Sequence, residues 1–157
     1  MFQLIVAVIS IALVAALAIA SLYYGGQAFQ QSSLKANVTT LVNAGQQIAG
    51  ADALYKIANS GAGVADGEID DLIPEYLAAA PGVSAAGTGA WEIETAGTST
   101  RVAFVLVNED SVTPVCQNAN EQAGLAKTAA WTGTTPTAQF GCYTDADDNA
   151  VKFGFKL

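Results

Sequence analysis

Between Leu4 and Tyr24 the chain reads LIVAVISIALVAALAIASLYY, interrupted by polar side chains only at Ser10 and Ser21, and the first charged residue is Lys35. As an α-helix, about 20 such residues extend roughly 30 Å, the thickness of a bilayer's hydrocarbon core. A helix that is apolar all round has to be surrounded on every side. No Lys or Arg stands ahead of the run, as the basic region of a cleavable secretory signal would, although Ala18-Ile19-Ala20 imitates a cleavage site. The segment is therefore expected to be retained, as a membrane anchor or as the buried axis of an assembly. No flanking positive charge sets a topology on its N-terminal side.

Gly25-Gly26 interrupts this pattern, and the helical periodicity then resumes over 27–59. There Leu34, Val38, Leu41, Ile48 and Tyr55 recur at spacings of three, four or seven. The second stretch is amphipathic and needs one face covered. Residues 1–59 together would make a helix roughly 80 to 90 Å long at 1.5 Å per residue, with Gly25 and Gly26 as its break. The expected division is a hydrophobic assembly or transmembrane helix over 1–26 and a globular part over 27–157. The latter divides into the amphipathic helix (27–59), a connecting loop (60–89) and an antiparallel sheet with an inserted short helix (90–157).

In a chain of 157 residues that globular part is one modest domain. Within the connection a short helical turn is expected from Ile69 to Ala79, ended by Pro81-Gly82. TGAWEIETAG alternates Trp91, Ile93 and Thr95 with Glu92 and Glu94, and RVAFVLVNED follows a Gly-Thr-Ser-Thr turn, which predicts a hairpin. Thr113 as N-cap and Pro114 at the first helical position predict a short helix from Thr113 to Gly124. Further strands are expected at Thr137–Tyr143 and Val151–Phe155, joined by the polar turn TDADDNA. The fold class is α+β: a long helix packed against a small antiparallel sheet of about four strands.

The formal charge of −8, six scattered basic residues and the absence of histidine argue against a nucleic-acid partner, which needs clustered Lys and Arg. Cys116 and Cys142 are the two cysteines. In an exported domain such a pair suggests one disulfide, and in a reducing compartment two buried thiols. Neither belongs to a CxxC pair or adjoins a histidine, so zinc binding and thiol catalysis lack their usual partners.

Those features together resemble the type IV pilins, most closely the larger type IVb branch. The resemblance rests on the apolar N-terminal helix, its amphipathic continuation, the loop before an antiparallel sheet and the C-terminal cysteine pair. It implies removal of a leader peptide and methylation of Met1 as the mature first residue. It also implies a filament core made by Phe2, Leu4, Ile5, Val8, Ile9, Ile11, Ala12, Leu13, Ala16 and Leu17 of identical subunits, and a disulfide between Cys116 and Cys142 enclosing the so-called D-region. Implied partners are the inner membrane before assembly, an assembly ATPase and a platform protein. The implied location is a bacterial surface fibre serving adhesion, motility, DNA uptake, conjugation or phage attachment. Two departures stand out. Most pilins carry a glutamate at the fifth mature position, opposite a neighbour's N-terminal ammonium, and here that position is Ile5; the mid-helix proline is also missing. An unpaired ammonium in an apolar core is costly, so Gln3 and backbone carbonyls would have to solvate it, or the terminus be neutral.

Asp145, Asp147, Asp148 and Asn149 invite a calcium reading, but lack an EF-hand's glycine and terminal glutamate; a solvated turn is expected, and no metal or cofactor is assigned. Asp66, Glu68, Asp70, Asp71 and Glu75 read as a solvated face that could meet Lys35 or Lys56 of a neighbour. Asn37-Val38-Thr39 fits a glycosylation sequon inside a helix, and Trp91 and Trp131 read as packing residues. With no histidine, no nucleophile beside a base and no phosphate loop, no catalytic residue is assigned and the chain reads as a non-enzyme. Besides a filament subunit, the sequence accommodates a pseudopilin of a secretion machine and a monomeric, single-pass periplasmic binding protein.

Overall fold

The computed structural model describes residues 2–67, 69–96, 99–127, 131–145 and 149–157, without the side chains of 27 and 28. Helix α1 spans Phe2–Ala58, a 3-10 turn follows at Ile69–Leu72, and strands β1 (Gly87–Ala96) and β2 (Thr100–Val107) form the expected hairpin. A second 3-10 turn, Glu109–Ser111, leads into α2 (Val112–Gln122), and β3 (Phe140–Thr144) and β4 (Val151–Lys156) complete the chain. The fold is α+β, with α1 packed against one four-stranded antiparallel sheet in the order β1-β2-β4-β3.

Two units are distinct, Met1–Ser33 and Leu34–Leu157. The compact unit therefore begins seven residues after the expected boundary at Gln27, because the first fully buried side chain of α1 is Val38. From there Val38, Leu41, Gly45, Ile48 and Asp52 occupy one face at helical spacing, and all are buried. Leu34 and Tyr55 pack at the margins of the same core. Against this stripe lie Trp91 and Ile93 of β1, Ala103 and Val105 of β2, and Phe153 of β4. Their alternation with outward neighbours follows from the two-residue period of a strand.

Gly25 and Gly26, expected to break the helix, lie within an uninterrupted α1. Glycine keeps both backbone hydrogen-bonding groups, so the ladder continues at a cost of about 1 kcal/mol per residue relative to alanine. The helical turn expected to Ala79 closes at Leu72, because Pro74 has no N–H and disfavours the helical region for the residue before it. Helix α2 starts at Val112 with Ser111 as N-cap, not at Thr113. Pro114 then occupies the third helical position, where an amide has no partner within the helix in any case. Strand β3 begins at Phe140 instead of Thr137, although the Gln139 carbonyl already accepts from the Lys156 amide at 2.9 Å.

A disulfide joins Cys116 of α2 to Cys142 of β3, with Cα atoms 5.4 Å apart. It fastens the helix to an edge strand of the sheet.

At Gly45 α1 lies close against Phe155 of the sheet. A Cβ there would stand 2.6 Å from Phe155 Cβ and 2.8 Å from its Cγ, whereas at Gly50, one and a half turns on, it would meet nothing within 4 Å. The two substitutions to alanine should therefore act in opposite directions. Gly45→Ala forces α1 off the sheet and is expected to destabilise by about 1–3 kcal/mol, while Gly50→Ala gains helix propensity and stabilises by about 0.5–1 kcal/mol. Denaturant titration of the detergent-solubilised chain, followed by tryptophan fluorescence, measures both. Equal effects of the two would contradict this packing.

Candidate functional site

The residues expected to form an assembly core, Phe2, Leu4, Ile5, Val8, Ile9, Ile11, Ala12, Leu13, Ala16 and Leu17, are all exposed. Exposure runs from 81% at Phe2 through 57% at Ile5 to 66% at Leu17 and 77% at Phe29. Met1 lies outside the described residues. Covering each large apolar side chain is worth about 1.5–3 kcal/mol relative to water, and an uncovered array of this size marks an interaction surface. Its two serines add no unmet polar group, because Ser10 and Ser21 donate to the carbonyls of Val6 and Leu17, each at 2.9 Å. This back-bonding to position i−4 satisfies the hydroxyls inside the helix itself. Ser10, Ile11, Val14, Ala15 and Ala18 line a shallow groove on the segment. Among the described residues α1 is the helix long and apolar enough, by length and composition, to cross a membrane.

Two ionic clusters, neither expected from the sequence, fix the sheet unit. Asp52, at 1% exposure, sits on the apolar face of α1 and meets Lys56 Nζ at 2.7 Å and Arg101 Nη1 at 2.9 Å. It also accepts from the Val64 amide at 3.3 Å, and Arg101 donates its other nitrogen to the Val64 carbonyl. At Gly63 a Cβ would overlap Arg101 Nη1, so a larger residue there would displace the guanidinium. Burial pushes the Asp52 carboxyl up, but the hydrogen bonds from Lys56 and Arg101, the Arg101 charge and the Val64 amide outweigh it and hold it below the usual carboxylate value. Lys56, expected as a possible contact to a neighbour's acidic face, is thus engaged within its own chain.

On the opposite face of the sheet Lys152, itself buried, meets Glu94 Oε2 at 2.7 Å and Asp145, and its Nζ stands 4.1 Å from the centre of the Phe104 ring. The Tyr143 hydroxyl donates to Glu94 Oε1 at 2.6 Å. Burial, reinforced by the hydrogen bond to Glu94 and by the charges of Glu94 and Asp145, pushes the Tyr143 phenol far up. Burial alone would pull the Lys152 ammonium down, yet Asp145 and Glu94 raise it above its ordinary value. Asp145 is paired with Lys152, and Asp147 and Asp148 lie outside the described residues.

In the other acidic group, Asp66 accepts from Thr95 Oγ1 at 3.0 Å, Asp70, Asp71 and Glu75 are exposed, and Glu68 lies outside the described residues. Trp91 is a core residue and Trp131 packs at the core's margin. Asn37 is half-buried on α1. A signal for Asp52 existed in the sequence, since the stripe 38, 41, 45, 48 leads to position 52 with Lys56 one turn on. Its partner in β2 is 49 residues away and carries no local signal.

Comparison with protein-family models, with curated proteins and with solved structures finds no match.

Asp52→Asn leaves Arg101 and Lys56 without their buried counter-charge and should destabilise the sheet unit by about 3 kcal/mol at neutral pH. Since the folded carboxyl ionises below its unfolded value, this contribution is complete above about pH 5 and fades as the pH falls through the folded value. The gap in unfolding free energy between wild type and Asp52→Asn should accordingly narrow between about pH 5 and pH 2. A gap that stays constant or widens on acidification would contradict the assignment.

Proposed function

We propose that this chain is a structural subunit of a filament of the type IV pilus kind. One observation carries the reading: more than twenty consecutive residues at the start of α1 expose an apolar surface on every side, while the later part of the same helix is fastened into a small disulfide-tied sheet unit. Such a segment is comfortable in lipid or among its own copies. Before assembly it rests in the inner membrane; in the fibre it packs as a central bundle, with the sheet units outside.

Transfer from lipid to bundle gains little apolar burial, because lipid tails are as apolar as leucine, so close approach of backbones has to drive association. Ala7, Ala12, Ala15, Ala16, Ala18 and Ala20 supply the small side chains that permit it. An assembly ATPase and a platform protein follow as partners from the same reading, and the role is mechanical, not catalytic. A second reading, a monomeric membrane-anchored domain, is favoured by the helix being long enough to span a bilayer.

Electron microscopy of sheared surface material, with mass analysis of the N-terminal peptide, tests the proposal. Thin fibres built from this chain, with a processed and methylated Met1, are expected. Ala15→Leu separates the two readings. Leucine is favourable in a membrane helix but fills the groove beside Val14 and Ala18, so fibre yield should fall at least about tenfold, corresponding to roughly 1.4 kcal/mol per contact, while membrane retention is unchanged. A chain recovered only from membranes, with no fibres in the wild type, would favour the anchor.

A further inference from the structure

The cluster around Lys152 has the composition of a reactive site as well as of an ion pair. Across the β3–β4 ladder Lys152 faces Tyr143, so both side chains leave the sheet on the same face, and Asp145, just past the end of β3, meets the same amine. Lys152 is 5% exposed, and its amine is in contact with Asp145 Oδ2 and backed by the Phe104 ring at 4.1 Å. Glu94 touches the same nitrogen at 2.7 Å and is held in place by the Tyr143 hydroxyl at 2.6 Å. Amide formation needs this set: an amine held against a carboxyl, a second carboxylate in reach of both to move protons, and little water to reverse the reaction.

We propose that Lys152 and Asp145 condense into an intramolecular isopeptide bond, with Glu94 relaying the protons. The ammonium gives one proton to Glu94, and the neutral Nζ adds to Cγ of Asp145, forming the N–C bond. Glu94 passes that proton to one of the Asp145 oxygens, then takes a second proton from nitrogen and delivers it to the same oxygen, which leaves as water. One ammonium and one carboxylate become one amide and one water; nothing is oxidised or reduced, and Glu94 ends as it began. Condensation also replaces a buried opposite-charge pair by a neutral amide, which a low-dielectric setting favours. The bond links Asp145, just past the end of β3, to Lys152 of β4, beside the edge strand that Cys142 joins to α2. This inference does not depend on the filament reading.

Tryptic mapping of the purified full-length chain, after reduction and alkylation, decides the matter. Cleavage after Lys152 should fail, leaving a peptide 128–156 lighter than its sequence by the mass of one water. In Glu94→Gln the proton relay is gone, and separate peptides 128–152 and 153–156 at full mass are expected. Recovery of those two peptides at full mass from the wild type would overturn the proposal, as would loss of water with Lys152 still open to trypsin. Condensation in Glu94→Gln as complete as in the wild type would overturn the part given to Glu94.

Discussion

The chain leaves one long apolar stretch of helix α1 uncovered, and that is the constraint its function has to meet. In water, side chains such as Leu4, Ile9, Leu13 and Leu17, each more than half exposed, would forgo about 1.5–3 kcal/mol apiece. The helical backbone meets its own hydrogen bonds, as any segment away from water must, and Ser10 and Ser21 turn their hydroxyls back onto it. The stretch is therefore built for surroundings that offer no polar partner. What those surroundings are, lipid or sister helices, sets the function.

Past Leu34 the same helix obeys a different rule. One face, from Val38 to Asp52, is buried against the sheet, and Gly45 allows the backbone to come close to Phe155. The unit is small, and its apolar core is supplemented by polar fastenings on both faces of the sheet. Asp52 and Arg101 join α1 to β2 on one side, while Glu94, Tyr143 and Lys152 link β1, β3 and β4 on the other. The disulfide adds α2 to β3. Truncating one member of such a buried group costs more than the pair contributes, because the remaining charge stays behind without compensation.

The parts of the fold governed by local periodicity were legible beforehand. The alternation of Trp91 and Ile93, the stripe Val38, Leu41, Ile48 and the last strand all announce themselves over a few residues. Element ends followed less well: Pro74 closed a turn early, and Pro114 proved compatible with a helix begun two residues before it. Least legible were the features made by distant pairs. That β4 inserts between β2 and β3 has no local signal, and a charge such as Lys152 reads as solvated until its partner Glu94, 58 residues earlier in the chain, is placed beside it. Of the candidate assembly surface, the sequence displays every residue, since its signal is simply the lack of polarity; what covers it leaves no mark within the chain.

Helical reconstruction of fibres sheared from cells producing this chain is the most direct measurement of what surrounds that surface. The account predicts residues 2–24 of each subunit packed against the same residues of several neighbours along the fibre axis, with the sheet units on the outside. Fibres held together by the sheet units alone, with residues 2–24 unpacked, or the chain present solely as single molecules in detergent, would contradict it.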